Sequence, residues 1–229
     1  MPRSMPRSMP LSLLSFLLLS GIVSGDEAQP AAQANAWQSL FDGETLDGWE
    51  ITEFGGQGDV YVKDDCLIID FGASMTGVTF EPSTSKLKEL PLTNYEIRLE
   101  AKRLAGNDFF CGLTFPVKRT YCSLIVGGWG GALVGLSSLD QQDASENETQ
   151  KIMSFKQDQW YPIRLQVLDD RIVVFISDKK VIDQSIVKRV ISIRPEVDLS
   201  KPLGFCTWET RAALRNIALR KISTTRAQP

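Results

Sequence analysis

The chain is predicted to be all-β, an antiparallel β-sandwich. Three observations predict this. Short runs of strand-forming residues recur from Trp37 to the end of the chain. Several of them alternate apolar and polar side chains with period two. Closely spaced Asp- and Pro-containing turns separate them, and no long amphipathic helical pattern intervenes.

The elements follow in order. Val60-Tyr61-Val62 and Cys66–Phe71 flank a turn at Asp64-Asp65. Tyr95–Leu104 places Ile97, Leu99 and Ala101 on one face and Glu96, Arg98, Glu100 and Lys102 on the other. That is the signature of a sheet with one face on the core. Phe109–Phe115 and Tyr121–Val126 come next, joined by a turn containing Pro116. Ile163, Leu165 and Val167 alternate with Arg164 and Gln166. Turns at Asp169-Asp170 and Asp178-Lys179 lead into Ile172–Ile176 and Val181-Ile182. A short helical turn is expected around Arg194–Leu199. The last strand, Leu214–Ile222, sets Leu214, Asn216, Ala218 and Arg220 against Arg215, Ile217, Leu219 and Lys221. There is no internal repeat and no second domain boundary.

With 229 residues, 43% hydrophobic and 23% charged, the chain can bury a core without metals or disulfides. The net charge is -3 and no Lys/Arg run occurs, so nucleic acid is not an expected partner. The absence of histidine excludes a histidine base, a histidine metal ligand and a Ser-His-Asp triad. At the N-terminus, Arg3 and Arg7 precede an apolar stretch, Leu11 to Val23, and small residues at Val23-Ser24-Gly25. Residues 1–25 therefore read as a secretory signal peptide, with a further cut available after Ala34. The stretch is too short to span a bilayer, so no transmembrane anchor is expected after cleavage. The expected location is secreted, periplasmic or cell-envelope. An Ala/Gln-rich linker (26–36), one domain (37–222) and a tail (223–229) complete the organisation. Cys66, Cys111, Cys122 and Cys206 lie far apart in apolar runs. Buried free thiols are the leading reading, with a disulfide framework as the alternative.

One stretch departs from ordinary strand chemistry. In Gly127-Gly128-Trp129-Gly130-Gly131, four glycines bracket the largest side chain. Glycines at a strand end mark bends or close approach of another molecule. Bare backbone on both sides leaves the indole face open, which suits the C–H face of a sugar ring. The acidic run Asp140–Glu148 would then form a rim, with Asp143, Glu146, Asn147 and Glu148 able to bind hydroxyls or a hard cation. The opposed reading stays open: Trp129 plugs the core, and the acidic run is a solvated loop.

"SLFDGETLDGWE" (Ser39–Glu50) resembles the opening motif of the 3-keto-disaccharide hydrolase family, also called the 3-keto-glucoside lyase/hydratase domain. "LTNYEIRLEAKR" (Leu92–Arg103), "AGNDFFCGLTFPV" (Ala105–Val117), "QWYPIRLQVLDDRIVVFISDKKVID" (Gln159–Asp183) and "LRNIALRKI" (Leu214–Ile222) continue it. The resemblance implies a concanavalin A-like jelly roll of two antiparallel sheets, with ligand on the concave face. It also implies cleavage of glycosides already oxidised to a ketone at C3. The C3 carbonyl acidifies the C2 proton, a base removes it, and the C1 substituent leaves; water can then add. This needs a base, an enolate stabiliser and an acid, and a divalent cation held by carboxylates could be the stabiliser.

On that resemblance, Glu100 is assigned as general base or metal ligand, and Asn107 and Asp108 as hydroxyl contacts. Arg98 or Arg164 would neutralise the enolate, and Glu146 would be a rim acid. Each could equally be a solvated or ion-paired surface group. Where many members carry a histidine, Gly204–Ile217 offers Trp208, Glu209 and Arg211. Either Glu209 takes over that role, or the substrate differs, or the chain binds without cleaving. Three functions remain in play: a carbohydrate-active hydrolase or lyase, a carbohydrate-binding module with Trp129 and Trp208 as platforms, and a structural or adhesion domain of the envelope. The expected cofactor is none beyond that cation, and the expected partner is a carbohydrate or glycoside.

Overall fold

A computed structural model describes residues 36–223. The expected signal peptide, nearly all of the linker and residues 224–229 lie outside them. Among the described residues no helix is long and apolar enough to cross a membrane.

Among the described residues fifteen strands make two sheets. In chain order they are β1 (Gln38–Ser39), β2 (Trp49–Ile51), β3 (Val60–Lys63), β4 (Cys66–Ile69), β5 (Met75–Phe80) and β6 (Tyr95–Gly106). Then come β7 (Cys111–Val117), β8 (Thr120–Gly127), β9 (Leu133–Ser137), β10 (Lys151–Ile152) and β11 (Tyr161–Val167). β12 (Arg171–Ile176), β13 (Lys179–Ser185), β14 (Gly204–Trp208) and β15 (Thr210–Lys221) complete the set. The first sheet has the order β13-β12-β11-β6-β15-β4-β3, with β1 also on β15. The second has the order β10-β9-β8-β7-β14-β5-β2. The result is a concanavalin A-like jelly-roll sandwich with antiparallel pairing throughout.

Period-two patterning explains the layers. Ile97, Leu99 and Ala101 of β6 point inward with Ile163 and Leu165 of β11. They meet Leu113 and Phe115 of β7, Leu124 and Val126 of β8, and Phe205 of β14. The alternate residues therefore decorate two outer faces, one per sheet, with the core between them. The expected helical turn is present as a 3-10 helix at Pro195–Ser200.

Two local expectations are corrected. Pro116 lies inside β7 rather than in the turn, which instead uses Lys118 at φ 55. The neighbouring strand β14 pairs with β7 only from Thr114 to Gly112, so on that side Pro116 lacks no ladder bond. In β15 the register shifts between Arg215 and Ala218, and Asn216 takes φ 55. This bulge moves the inward set from Leu214 to Ile217 and Leu219, so Leu214 faces the core while Asn216 stays on the outer side with Ala218 and Arg220.

All four cysteines are free and buried, and the disulfide framework does not form. Burial pushes the Cys111 thiol up, and those of Cys122 and Cys206 up to about 12. A thiol reagent at pH 8 should therefore find no fast-reacting group in the folded protein and all four after denaturation. Rapid labelling of the native state would contradict this burial.

Candidate functional site

The glycine-rich stretch is built around an arginine that the sequence alone did not single out. Arg103 occupies an inward register on β6, two residues after Ala101, and is only 7% exposed. Its Nη2 donates to the carbonyls of Gly127 (3.3 Å) and Gly131 (2.9 Å), and its guanidinium lies over the Phe110 ring at 5.1 Å. The chain wraps this cation in one tight turn, Gly128–Gly131, whose Trp129 and Gly130 take left-handed backbone. Gly127, Gly130 and Gly131 take φ of 81, 83 and 99, and Trp129 takes 46. A Cβ on Gly127 would lie 2.6 Å from Arg103 Nη2, so only glycine fits there. Desolvation pulls the Arg103 pKa below its ordinary value, and Asp108 works in the opposite direction. Trp129 is carried outward and left 47% exposed, which rules out the core-plug reading.

Trp129 stands at the mouth of a hollow of about 290 Å³ on the outer face of the second sheet. Buried Met75, Phe109, Ile125 and Val197 lie deepest in its lining. Trp208 is half-buried, and Asp108, Arg194 and Glu196 complete the polar edge. Asp108 Oδ1 accepts from the Phe109 N–H at 2.7 Å, whereas Oδ2 has only a long 3.4 Å contact from the Gly130 N–H. Arg194 donates to Asp143 at 2.8 Å and to Glu196 at 2.7 Å. The bond from Arg194 holds the Glu196 carboxyl below its usual range.

The acidic run is a built wall rather than a solvated loop. Ala144 is fully buried over Gly135 of β9, where any Cβ would lie 2.8 Å from the Ala144 carbonyl oxygen. Asn147 is buried and donates to the carbonyls of Leu136, Gln142 and Asp143. It is thereby spent on structure, not offered to a ligand. Asp143 and Glu146 line a second recess of about 520 Å³, which shares Arg194 and Glu196 with the tryptophan hollow.

The structure divides the expected constellation. Asp108, Trp129 and Trp208 come together, with Glu146 in the adjoining recess. Arg98, Glu100 and Arg164 do not join them. They line a different hollow, about 700 Å³, on the outer face of the first sheet. Glu100 is held there by Arg215 (2.9 and 2.7 Å) and Asn216 (3.1 Å). Arg98 stacks on Trp37 at 4.3 Å, and Arg164 bonds Glu96 at 2.8 Å. Glu96 is fully buried between Arg164 and Arg220. Asn107 and Glu209 are exposed and line none of these three hollows. The physical reason is the core itself: outward residues of β6 and β11 look away from the outward residues of β7, β8 and β14.

A divalent cation does not fit the residues present. Among the described residues no three Asp, Glu or Cys side chains are grouped to hold a metal. At the hollow, Arg194 neutralises both Asp143 and Glu196 and would repel a second cation.

Two predictions come from this architecture. Arg103→Met keeps a long side chain but removes the bonds to Gly127 and Gly131. Amide exchange across 127–132 should accelerate at least about tenfold while β6 and β11 keep their protection; an unchanged turn would remove Arg103 as its anchor. The acidic wall is also strapped by Arg189, which pairs with Asp140 and Glu148. The hydrogen bond from Arg189 lowers the Glu148 pKa to about 2. A depressed carboxylate pKa stabilises the fold above the unfolded value of about 4.3 and loses that effect as pH falls toward 2. Arg189→Met should lower Tm by roughly 2 °C at pH 6–8, and the gap should close near pH 2. A gap that persists at pH 2 would show that the guanidinium acts otherwise.

Solved structures of low sequence identity share this fold. The carbohydrate-binding module CBM66 from Bacillus subtilis is 13% identical, with 79% of this chain and 99% of that chain covered and a TM-score of 0.51. The apo Crh5 transglycosylase is 10% identical, with 83% and 85% covered and a TM-score of 0.56. A Bacillus subtilis protein with a galectin-like fold is 10% identical, with 76% and 89% covered and a TM-score of 0.54. At these identities the likeness is one of fold. No curated protein matches the chain in sequence. The model of the 3-keto-alpha-glucoside-1,2-lyase-like domain matches residues 36–220, and the chain belongs to that carbohydrate-active family.

Proposed function

We propose that the hollow at Trp129 and Trp208 binds one sugar ring of a glycoside oxidised to a ketone at C3, and that the chain cleaves this glycoside by elimination. The observation that carries the reading is the indole of Trp129, held out of the core on a turn that Arg103 organises. An exposed aromatic face beside a carboxylate and a guanidinium offers what a sugar ring needs: a flat apolar surface and polar groups at its edge. Family membership supplies the ketone.

The chemistry then falls to residues at the hollow. Asp108 takes the C2 proton through Oδ2, the oxygen without a short bond, while Oδ1 is steadied by the Phe109 N–H. Arg194 offsets the negative charge that develops on the C3 oxygen. The electron pair of the C2–H bond forms the enolate, and its collapse expels the C1 oxygen, which takes a proton from water. The remaining hydroxide adds to C1, and Asp108 returns its proton to C2. The sum is hydrolysis, and Asp108 ends as it began. Glu146 remains available to sugar hydroxyls at the recess. Glu100 and Glu209 take no part, because neither lines the hollow. The signal-like character of residues 1–25 supports a reaction outside the cytoplasm.

One observation favours a second reading, binding without chemistry. Arg194 consumes Asp143 and Glu196, no histidine exists, and Asp108 is the one carboxylate at the hollow free of an ion pair.

Release of 3-ketoglucose from methyl 3-keto-glucoside tests both. Asp108→Asn should cut turnover at least about 100-fold with binding little changed. Trp129→Ala should weaken binding about tenfold. Binding that depends on Trp129 with no turnover by the wild type would establish the second reading. A protein that binds no glycoside at all would end both.

A further inference from the structure

We infer that the deep part of the tryptophan hollow takes an aromatic aglycone, so that the preferred glycoside carries a flat apolar group at C1 rather than a second sugar. The inference rests on the sugar reading above and refines it.

Three features point this way. The first is the division of the lining by depth. Met75, Phe109, Ile125 and Val197 are each under a tenth exposed, whereas Arg194, Glu196 and Trp129 are exposed at the edge. A second sugar has hydroxyls around its whole ring. Seated on this floor, most of them would lose water and gain no partner. The second feature is that the lining holds only two serines. Ser123 Oγ already lies 2.8 Å from Thr114 Oγ1, and Ser137 Oγ, 3.5 Å from Ser138 Oγ, lacks a short bond. Two hydroxyls do not answer those around a whole second sugar ring. The third is size. About 290 Å³ lies at the bottom of the ~300–1,000 Å³ range of small-molecule sites, so it does not hold an oligosaccharide in full. A sugar at the mouth against Trp129 keeps its hydroxyls near Asp108, Arg194 and Glu196. The group at C1 then meets the apolar floor.

The test compares binding of methyl and phenyl 3-keto-glucosides to the Asp108→Asn protein, by calorimetry. Phenyl should bind at least about tenfold more tightly, from the extra apolar area removed from water. Val197→Thr keeps the side-chain shape and exchanges one methyl for a hydroxyl, and it should narrow the phenyl-to-methyl ratio at least about threefold. Trp129→Ala should weaken both ligands. Equal affinity for the two ligands, with both still dependent on Trp129, would overturn the aglycone inference and leave the sugar reading standing. A phenyl preference untouched by Val197→Thr would also overturn it, because the floor would not be the seat. Failure of both ligands to bind would overturn the inference together with the reading beneath it.

Discussion

The candidate site depends on one buried cation. Arg103 enters the sandwich from the inward side of β6, where an apolar residue is the rule, and its Nε has no hydrogen-bond partner. Burying a guanidinium in this way costs several kcal/mol unless acceptors meet it. The carbonyls of Gly127 and Gly131, the Phe110 ring and the Asp108 charge meet it. The acceptors can converge only if the chain turns back within four residues, and that turn uses left-handed backbone that glycine adopts freely. Trp129 sits in the same turn at φ 46, a conformation that costs about 1–2 kcal/mol for a residue with a side chain. The arginine and the glycines thus require each other. The outward indole is a consequence of their agreement.

Much of the layering was legible because side-chain alternation is a direct reading of the strand period. Ile97, Leu99 and Ala101 were placed inward, and Glu96, Arg98 and Glu100 outward, and the structure has them so. Alternation says that a residue faces away from the core. It does not say which of two opposite faces meets a ligand. The resemblance assigns Glu100 and Asp108 to one site, yet the first belongs to β6 and the second lines a hollow on the other sheet. Arg103 had a local signal: it continues the inward series after Ala101, where a charge needs an explanation. The bulge at Asn216 had none, since Leu214 and Asn216 keep a regular period in the sequence while the backbone breaks it.

The wall beside the hollow was less legible for a different reason. Its stability comes from contacts distant in sequence, such as Arg194 with Asp143, 51 positions away. Composition makes Asp140–Glu148 look like solvated chain. What orders it is Asn147, whose amide satisfies three backbone carbonyls, and a glycine at 135 that lets Ala144 rest directly on β9. Neither effect leaves a pattern in the local sequence, because each depends on which strand lies beneath.

The two outer faces show why polarity alone is a poor guide to a site. The first sheet carries the larger hollow and more charge, but most of its charges are answered from within. Glu96 is shared by Arg164 and Arg220, Glu100 is clasped by Arg215, and Arg98 lies on Trp37. A ligand there would have to displace bonds before forming its own. The second sheet presents Trp129 with an uncovered face and Asp108 with one oxygen lacking a short bond. Binding at the Trp129 face and at that Asp108 oxygen replaces water rather than protein contacts, and the turn that holds the indole has already paid its conformational entropy. A preorganised surface with an open indole and an open carboxylate oxygen is the better place for a sugar, even though it is the smaller and the less charged of the two.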